Sequence, residues 1–244
     1  MRAKKRLFAV SILLALALSA TAAAQGAAPV GTVTHLSGTL LVKRADGTRM
    51  LSVKSDIYEG DALITQADTY ARLKFNDDGE VVMRPDSNMT VNSYAFHPDE
   101  PQRDNALLAL VKGGMRSVTG LLGHRNKEKF SVQTPTATIG IRGTHFGALL
   151  CQGDCGAIRT PTGAPPPDGL HVDVAQGAIS LTNGAGVQVV NAGQFAYVRD
   201  AVTPPVIQPP SQGIQVTMPA QISRNASGGR TVGAKRDDME CAVQ

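Results

Sequence analysis

Tryptophan is absent from the 244 residues, aromatic residues make up 4%, and there are three cysteines. So few flat rings leave little for a sugar ring to stack on, which counts against a polysaccharide site. Charged residues are 18% of the chain, too few for a coiled coil or a charge-solvated disordered protein. The basic excess is also missing once its location is considered. Arg2, Lys4, Lys5 and Arg6 account for the whole formal charge of +4, so the rest of the chain is neutral. A neutral body argues against nucleic-acid binding, which needs a basic footprint. No apolar run reaches the roughly 20 residues of a spanning helix. The motifs of common chemistries are lacking too: no H-E-x-x-H, no G-x-S-x-G, no phosphate-binding G-x-x-x-x-G-K-[ST]. His35, His97, His124, His145 and His171 are scattered. No catalytic residue, metal site or cofactor is expected.

The N-terminus carries an address. Basic residues 2–6 precede Leu7–Ala20, an apolar run of about 14 residues, and Ala22-Ala23-Ala24 fits a small-residue cleavage site. The expectation is a signal peptide over 1–24, cleaved before Gln25, and an exported bacterial-type protein. It would be periplasmic, or released to the surface or medium, with no transmembrane segment in the mature chain. An uncleaved anchor is the alternative.

Residues 25–202 read as one β domain. Ala71, Leu73 and Phe75 alternate with Tyr70, Arg72 and Lys74. Leu170, Val172 and Val174 alternate with His171, Asp173 and Ala175. Phe130 and Val132 alternate with Lys129, Ser131 and Gln133. Each pattern has the period of a half-buried strand. Asp46-Gly47, Asn76-Asp77-Asp78-Gly79 and Asn183-Gly184 are turn formers between runs. Leu107–Val111 is continuously apolar, as a strand buried on both faces would be. Leu121–Lys127 fits a short helix or a loop. Many short strands and glycine-rich turns predict an all-β fold: an antiparallel sandwich, a jelly roll or a β-roll. A faint echo links Gly38-Thr39-Leu40 and Gly60-Asp61 with Gly177-Ala178-Ile179 and Gly193-Gln194. It marks two related units, or only the way strands begin. The prolines of 160–169 predict an exposed loop. Residues 203–244, rich in Pro, Gly and Ser, read as a largely disordered tail, the alternative being one extra strand over Ile214–Met218.

Three stretches carry a family resemblance. Gly60-Asp61-Ala62-Leu63-Ile64-Thr65 is followed by Tyr70–Phe75 and the Asp78-Gly79 turn. Thr134-Pro135-Thr136-Ala137 leads into Gly140-Ile141-Arg142-Gly143-Thr144. Val172-Asp173-Val174-Ala175-Gln176-Gly177 leads to Ala192-Gly193-Gln194. In this order they resemble the FecR domain family over roughly 30–200. The resemblance implies an all-β extracytoplasmic domain. Named members are sensors that pair this domain with a cytoplasmic anti-sigma segment and touch an outer-membrane receptor. Only six residues precede the apolar run here. The expectation is therefore a free exported module without that segment. The residue after Gly143-Thr144 is commonly acidic in the family, and here it is His145.

Asp61, Arg142, Thr144 and His145 form the expected corner or contact cluster, with Arg142 bracing a corner by pairing with Asp61 or capping carbonyls. Cys151 and Cys155 flank the turn-like Gly153-Asp154 and should form a disulfide in an oxidising compartment. A metal held by both thiolates with His145 or His171 is disfavoured by the spacing. Cys241 is left over, free or bridged to another chain. The functional expectation is a non-enzymatic protein-binding module for an envelope or outer-membrane protein, with a role in signal sensing open. A structural surface protein and a polysaccharide or peptidoglycan binder are the alternatives.

Overall fold

A computed structural model describes residues 27–219 and Ile222. The expected signal segment 1–24, Cys241 and most of the chain after Pro219 lie outside the described residues. Seventeen short strands are hydrogen-bonded into one continuous sheet, folded into two layers around a single core. The back layer runs in the order β3 (Gly47–Leu51), β2 (Leu40–Arg44), β5 (Ala62–Thr65), β8 (Asn88–Ala95) and the first part of β9 (Asn105–Val118). It continues through β10 (Phe130–Gln133), β11 (Thr138–Ile141), β14 (Ala178–Asn183) and β15 (Gly186–Asn191). The front layer runs β4 (Asp56–Ile57), β1 (Gly31–Leu36), β6 (Ala71–Phe75), β7 (Glu80–Met83) and the end of β9. It continues through β12 (His145–Cys151), β13 (Gly169–Gln176), β16 (Phe195–Val198) and β17 (Val206–Gln208). All these pairs are antiparallel except β9 with β10. The protein is thus the all-β, mainly antiparallel sandwich that alternation and turn chemistry predict.

The long strand β9 belongs to both layers, and Gly113 is where it crosses. Its φ of +76° is accessible mainly to glycine. Ser87 stitches the crossing, its Oγ accepting from Gly114 N at 2.9 Å and donating to Gly114 O at 3.0 Å. The three turn formers join β2 to β3, β6 to β7 and β14 to β15. Leu121–Arg125 is a short helix, begun by Asp77, whose carbonyl and carboxylate accept the N–H groups of Leu121 and Leu122. Asp77 also takes the buried hydroxyl of Tyr94 at 2.7 Å.

The echo in the sequence has a structural counterpart. β1 to β4 pass front, back, back, front, and β13 to β16 do the same. In the first unit, Asp61 N donates to Tyr58 O (3.2 Å) and Tyr58 N donates to Asp61 Oδ2 (3.0 Å). In the second, Gln194 N donates to Asn191 O (3.0 Å) and Asn191 N donates to Gln194 Oε1 (2.7 Å). Gly60 and Gly193 sit at the third turn position with φ of +86° and +80°.

Three expectations change. Leu107–Val111 is buried on one face only: Leu108 and Leu110 enter the core while Val111 is exposed. The solvent faces assigned to β6 and β13 are covered instead, with Arg72, His171 and Asp173 all buried. His171 is covered by the 160–169 loop, whose Pro167 O it bonds, while over Arg72 and Asp173 the cause is a third difference. The chain after Thr203 does not leave the body at once. It adds β17 and then lays Gly213–Met218 across the front layer, burying Ile214 and Val216. The apolar alternation of Ile214, Val216 and Met218 offsets the ordering entropy that the prolines alone could not.

Candidate functional site

The corner built from Gly140–Thr144 is architectural. Thr144 is buried, and its Oγ1 donates to Ala178 O at 2.7 Å. Its N–H donates to Thr119 Oγ1 at 2.9 Å, and Thr119 Oγ1 donates back to Thr144 O at 2.7 Å. One threonine thereby ties the β11–β12 corner to the β13–β14 corner and to the end of β9. Pro135 lies in the β10–β11 hairpin turn, where its missing N–H costs nothing. Arg142 projects from this corner and is exposed.

Asp61 is not brought to that corner. It is buried between β4 and β5 and binds Arg44 through two bonds of 2.6 and 2.7 Å. The Arg44 guanidinium lies 4.7 Å from the Tyr58 ring centroid. Asp61 therefore pairs with an arginine as expected, but that arginine is Arg44 and not Arg142. A turn-adjacent arginine on the neighbouring strand β2 is as good a partner electrostatically, and residue type alone could not choose between them.

His145 leads to a different place, the outer face of the front layer. One cross-strand row there reads His35, Arg72, Val82, Arg116, Gly147, Asp173, Phe195. The strap Gly213–Met218 runs over this row. Val216 N donates to Asp173 Oδ1 at 2.9 Å, and Val216 O accepts from Arg116 Nη1 at 2.8 Å. Arg84 Nη1 donates to Thr217 O at 3.2 Å. Gly147 permits the close approach, since a side chain there would collide with Val216 and Asp173. Arg116 also binds Asp173 Oδ2 at 3.0 Å and His145 Nε2 at 2.7 Å. The Cys151–Cys155 disulfide forms, and with Leu149 it makes the apolar wall against which Ile214 and Val216 pack. Arg72, Arg116 and Asp173 were not singled out from the sequence. The one available signal was the alternation in the strap, which makes sense of polar residues only once it is known to cover them.

The geometry makes two histidines sensitive to acid. Burial, and then the positive charge of Arg116, hold His145 below its ordinary pKa despite Asp173. Burial lowers His171 as well, against the bond between its Nε2 and Pro167 O. Both take up protons more readily in the unfolded chain. Stability should therefore be fully present above the ordinary histidine pKa of about 6.5 and fall as pH drops through it. Urea titrations at several pH values between about 7.5 and 5 test this. The double variant His145→Gln, His171→Gln should flatten the slope in that window. An unchanged slope would remove both histidines as its source.

Among the described residues, no three His, Cys, Asp or Glu side chains converge as a metal site would require. No described helix is long and apolar enough to cross a membrane. Tandem strand units folded into two layers about a shared strand, with glycine turns and a threonine-tied corner, define an all-β module. Residues 61–180 match the model of the FecR protein family. Two crystal structures of a candidate anti-sigma factor from Parabacteroides distasonis are similar at 13% and 14% identity, each with a TM-score of 0.44. The similarity covers 60% of this chain and 58% of theirs, so the chain spans little more than half their length. No curated protein matches.

Proposed function

We propose that this protein is a non-enzymatic interaction module of the bacterial cell envelope, exported by its N-terminal signal segment. It binds an extended strand of another envelope or outer-membrane protein. The observation that carries this reading is the edge strand β15. It pairs with β14 on one side and with no described strand on the other. Val187 and Val189 point outward, 66% and 43% exposed. No charged residue occurs between Val174 and Val198. Beside it, β17 exposes Val206 and Ile207. The opposite edges are guarded in the usual ways: β3 carries Arg49, paired with Asp46, and β4 is two residues long. An uncharged edge left unguarded suits strand addition. There, backbone bonds supply affinity and the valines supply specificity. The match to the FecR family supports a protein partner.

The test is affinity capture from envelope fractions with the wild-type chain and with the variant Val187→Lys, Val189→Lys. Exposed substitutions should leave stability within about 0.5 kcal/mol. The expected result is one specific envelope protein, retained by the wild type and lost by the variant. Equal capture by both would overturn the reading. Recovery of this chain alone would favour a self-assembling structural protein instead.

A further inference from the structure

Between the end of the strap and the front layer lies a cavity of about 340 Å³, at the small end of the range for ligand sites. Its charged and titratable lining is Arg72, Glu80, Arg116 and His145, and its apolar side is Val82, Val118, Met218 and Ile222. Arg72 is unusual. It is only 3% exposed, yet its buried Nε has no hydrogen-bond partner. The nearest anion, Glu80 Oε2, is 3.9 Å away, beyond bonding distance. Arg44, Arg116 and Arg125, by contrast, all have their Nε hydrogen-bonded. Arg116 has three partners, and both Arg44 and Arg125 grip a buried aspartate in a two-pronged bond. A buried guanidinium with an idle donor is costly, and folded chains keep such groups where something else completes them.

We propose that this cavity binds a small aliphatic monocarboxylate, with its carboxylate on Arg72 and its hydrocarbon against Val82, Val118, Met218 and Ile222. The planar fork of arginine matches a carboxylate. Glu80 beside it leaves room for one negative charge and disfavours a doubly charged phosphate. Arg116 adds no free charge, being paired with Asp173 at 3.0 Å, and His145 adds none, since its Nε2 accepts from Arg116 and its remaining proton is on Nδ1. The apolar wall asks for a tail that phosphate lacks. Met218 and Ile222 belong to the strap and its continuation, so an occupied cavity holds the strap down. By linkage, ligand and strap order stabilise each other. This inference does not depend on the strand-addition reading, because β15 lies in the other layer.

Hexanoate is the probe, with hexanol and inorganic phosphate as controls. The full chain is titrated, and binding is read from the Arg72 Nε–H resonance and from amide exchange of residues 213–218. Hexanoate should bind saturably, shift that resonance and slow exchange in the strap. Hexanol and phosphate should bind about tenfold more weakly or not at all. Arg72→Gln should weaken hexanoate about 10- to 100-fold. Val118→Trp fills the cavity from an exposed strand position. It should abolish binding with unchanged melting, which keeps the test valid if the Arg72 variant does not fold. No saturable binding at about 10 mM hexanoate would overturn the proposal. So would phosphate binding as tightly as hexanoate, or binding that survives Val118→Trp.

Discussion

Asp173→Ala should destabilise the protein by about 3–5 kcal/mol, the usual result of removing one partner from a buried ion pair. Asp173 is 4% exposed and holds three things together. It accepts from Arg116, it accepts from the Val216 amide, and it offsets the positive charge that Arg116 presents to His145. Without it, Arg116 remains half-buried with a neutral imidazole and a carbonyl as its partners. The strap loses one of its anchors at the same moment. Urea unfolding should show the loss, and the Val216 amide should exchange with solvent at a rate close to that of an open segment. Asp173→Asn keeps an acceptor for Val216 and should lose less. A loss below about 1 kcal/mol with a still-protected Val216 amide would show that the strap is held by its apolar contacts alone.

Gly113→Val should be more severe, leaving little or no folded protein. The position has φ +76°, a region that β-branched residues avoid. A Cβ there would overlap Ser87 Oγ and lie 2.7 Å from Ser87 Cα. Neither strain can be relieved locally, because Ser87 is itself bonded to both sides of Gly114. Backbone incompatibility plus overlap with main-chain atoms should together exceed about 4 kcal/mol. Gly156→Ala is the control, since a Cβ there meets nothing within 4 Å. It should change stability by less than about 0.5 kcal/mol. Expression yield, circular dichroism and thermal unfolding separate the two cases. A well-folded Gly113→Val protein would mean that β9 can cross between layers in another way.

Much of the fold was legible because its signals are local. The alternation of Ala71, Leu73 and Phe75 marks a strand whatever surrounds it. Asp46-Gly47 and Asn183-Gly184 reverse the chain by their own backbone preferences. Gly60 and Gly193 announced matching turns, which recur with the same bonds. The Cys151–Cys155 pairing followed from a turn of three residues between the sulfurs. The same local reading failed at Arg72, His171 and Asp173. Their alternation said only that they face away from the core, and a face away from the core is normally wet.

The candidate cluster shows the same division. Thr144 and His145 were worth singling out, but their work is done in opposite directions. Thr144 ties two corners inside the sandwich, and His145 joins a charged row outside it. Asp61 pairs with Arg44 at a separation of 17 residues, and the sequence held no means of preferring that arginine over Arg142.

By itself the sequence determined the class of this protein: strands rather than helices, the positions of the hairpins and a FecR-type corner. These depend on periodicity and turn chemistry, which act over a few residues. Only the tertiary structure decided which polar face is buried and which edge is left open. Arg116 meets the Val216 carbonyl across 100 residues of sequence. A contact of that range leaves no periodic trace, because it depends on where a distant segment comes to rest. The strap hides the charged row of the front layer, while β15 keeps its free edge.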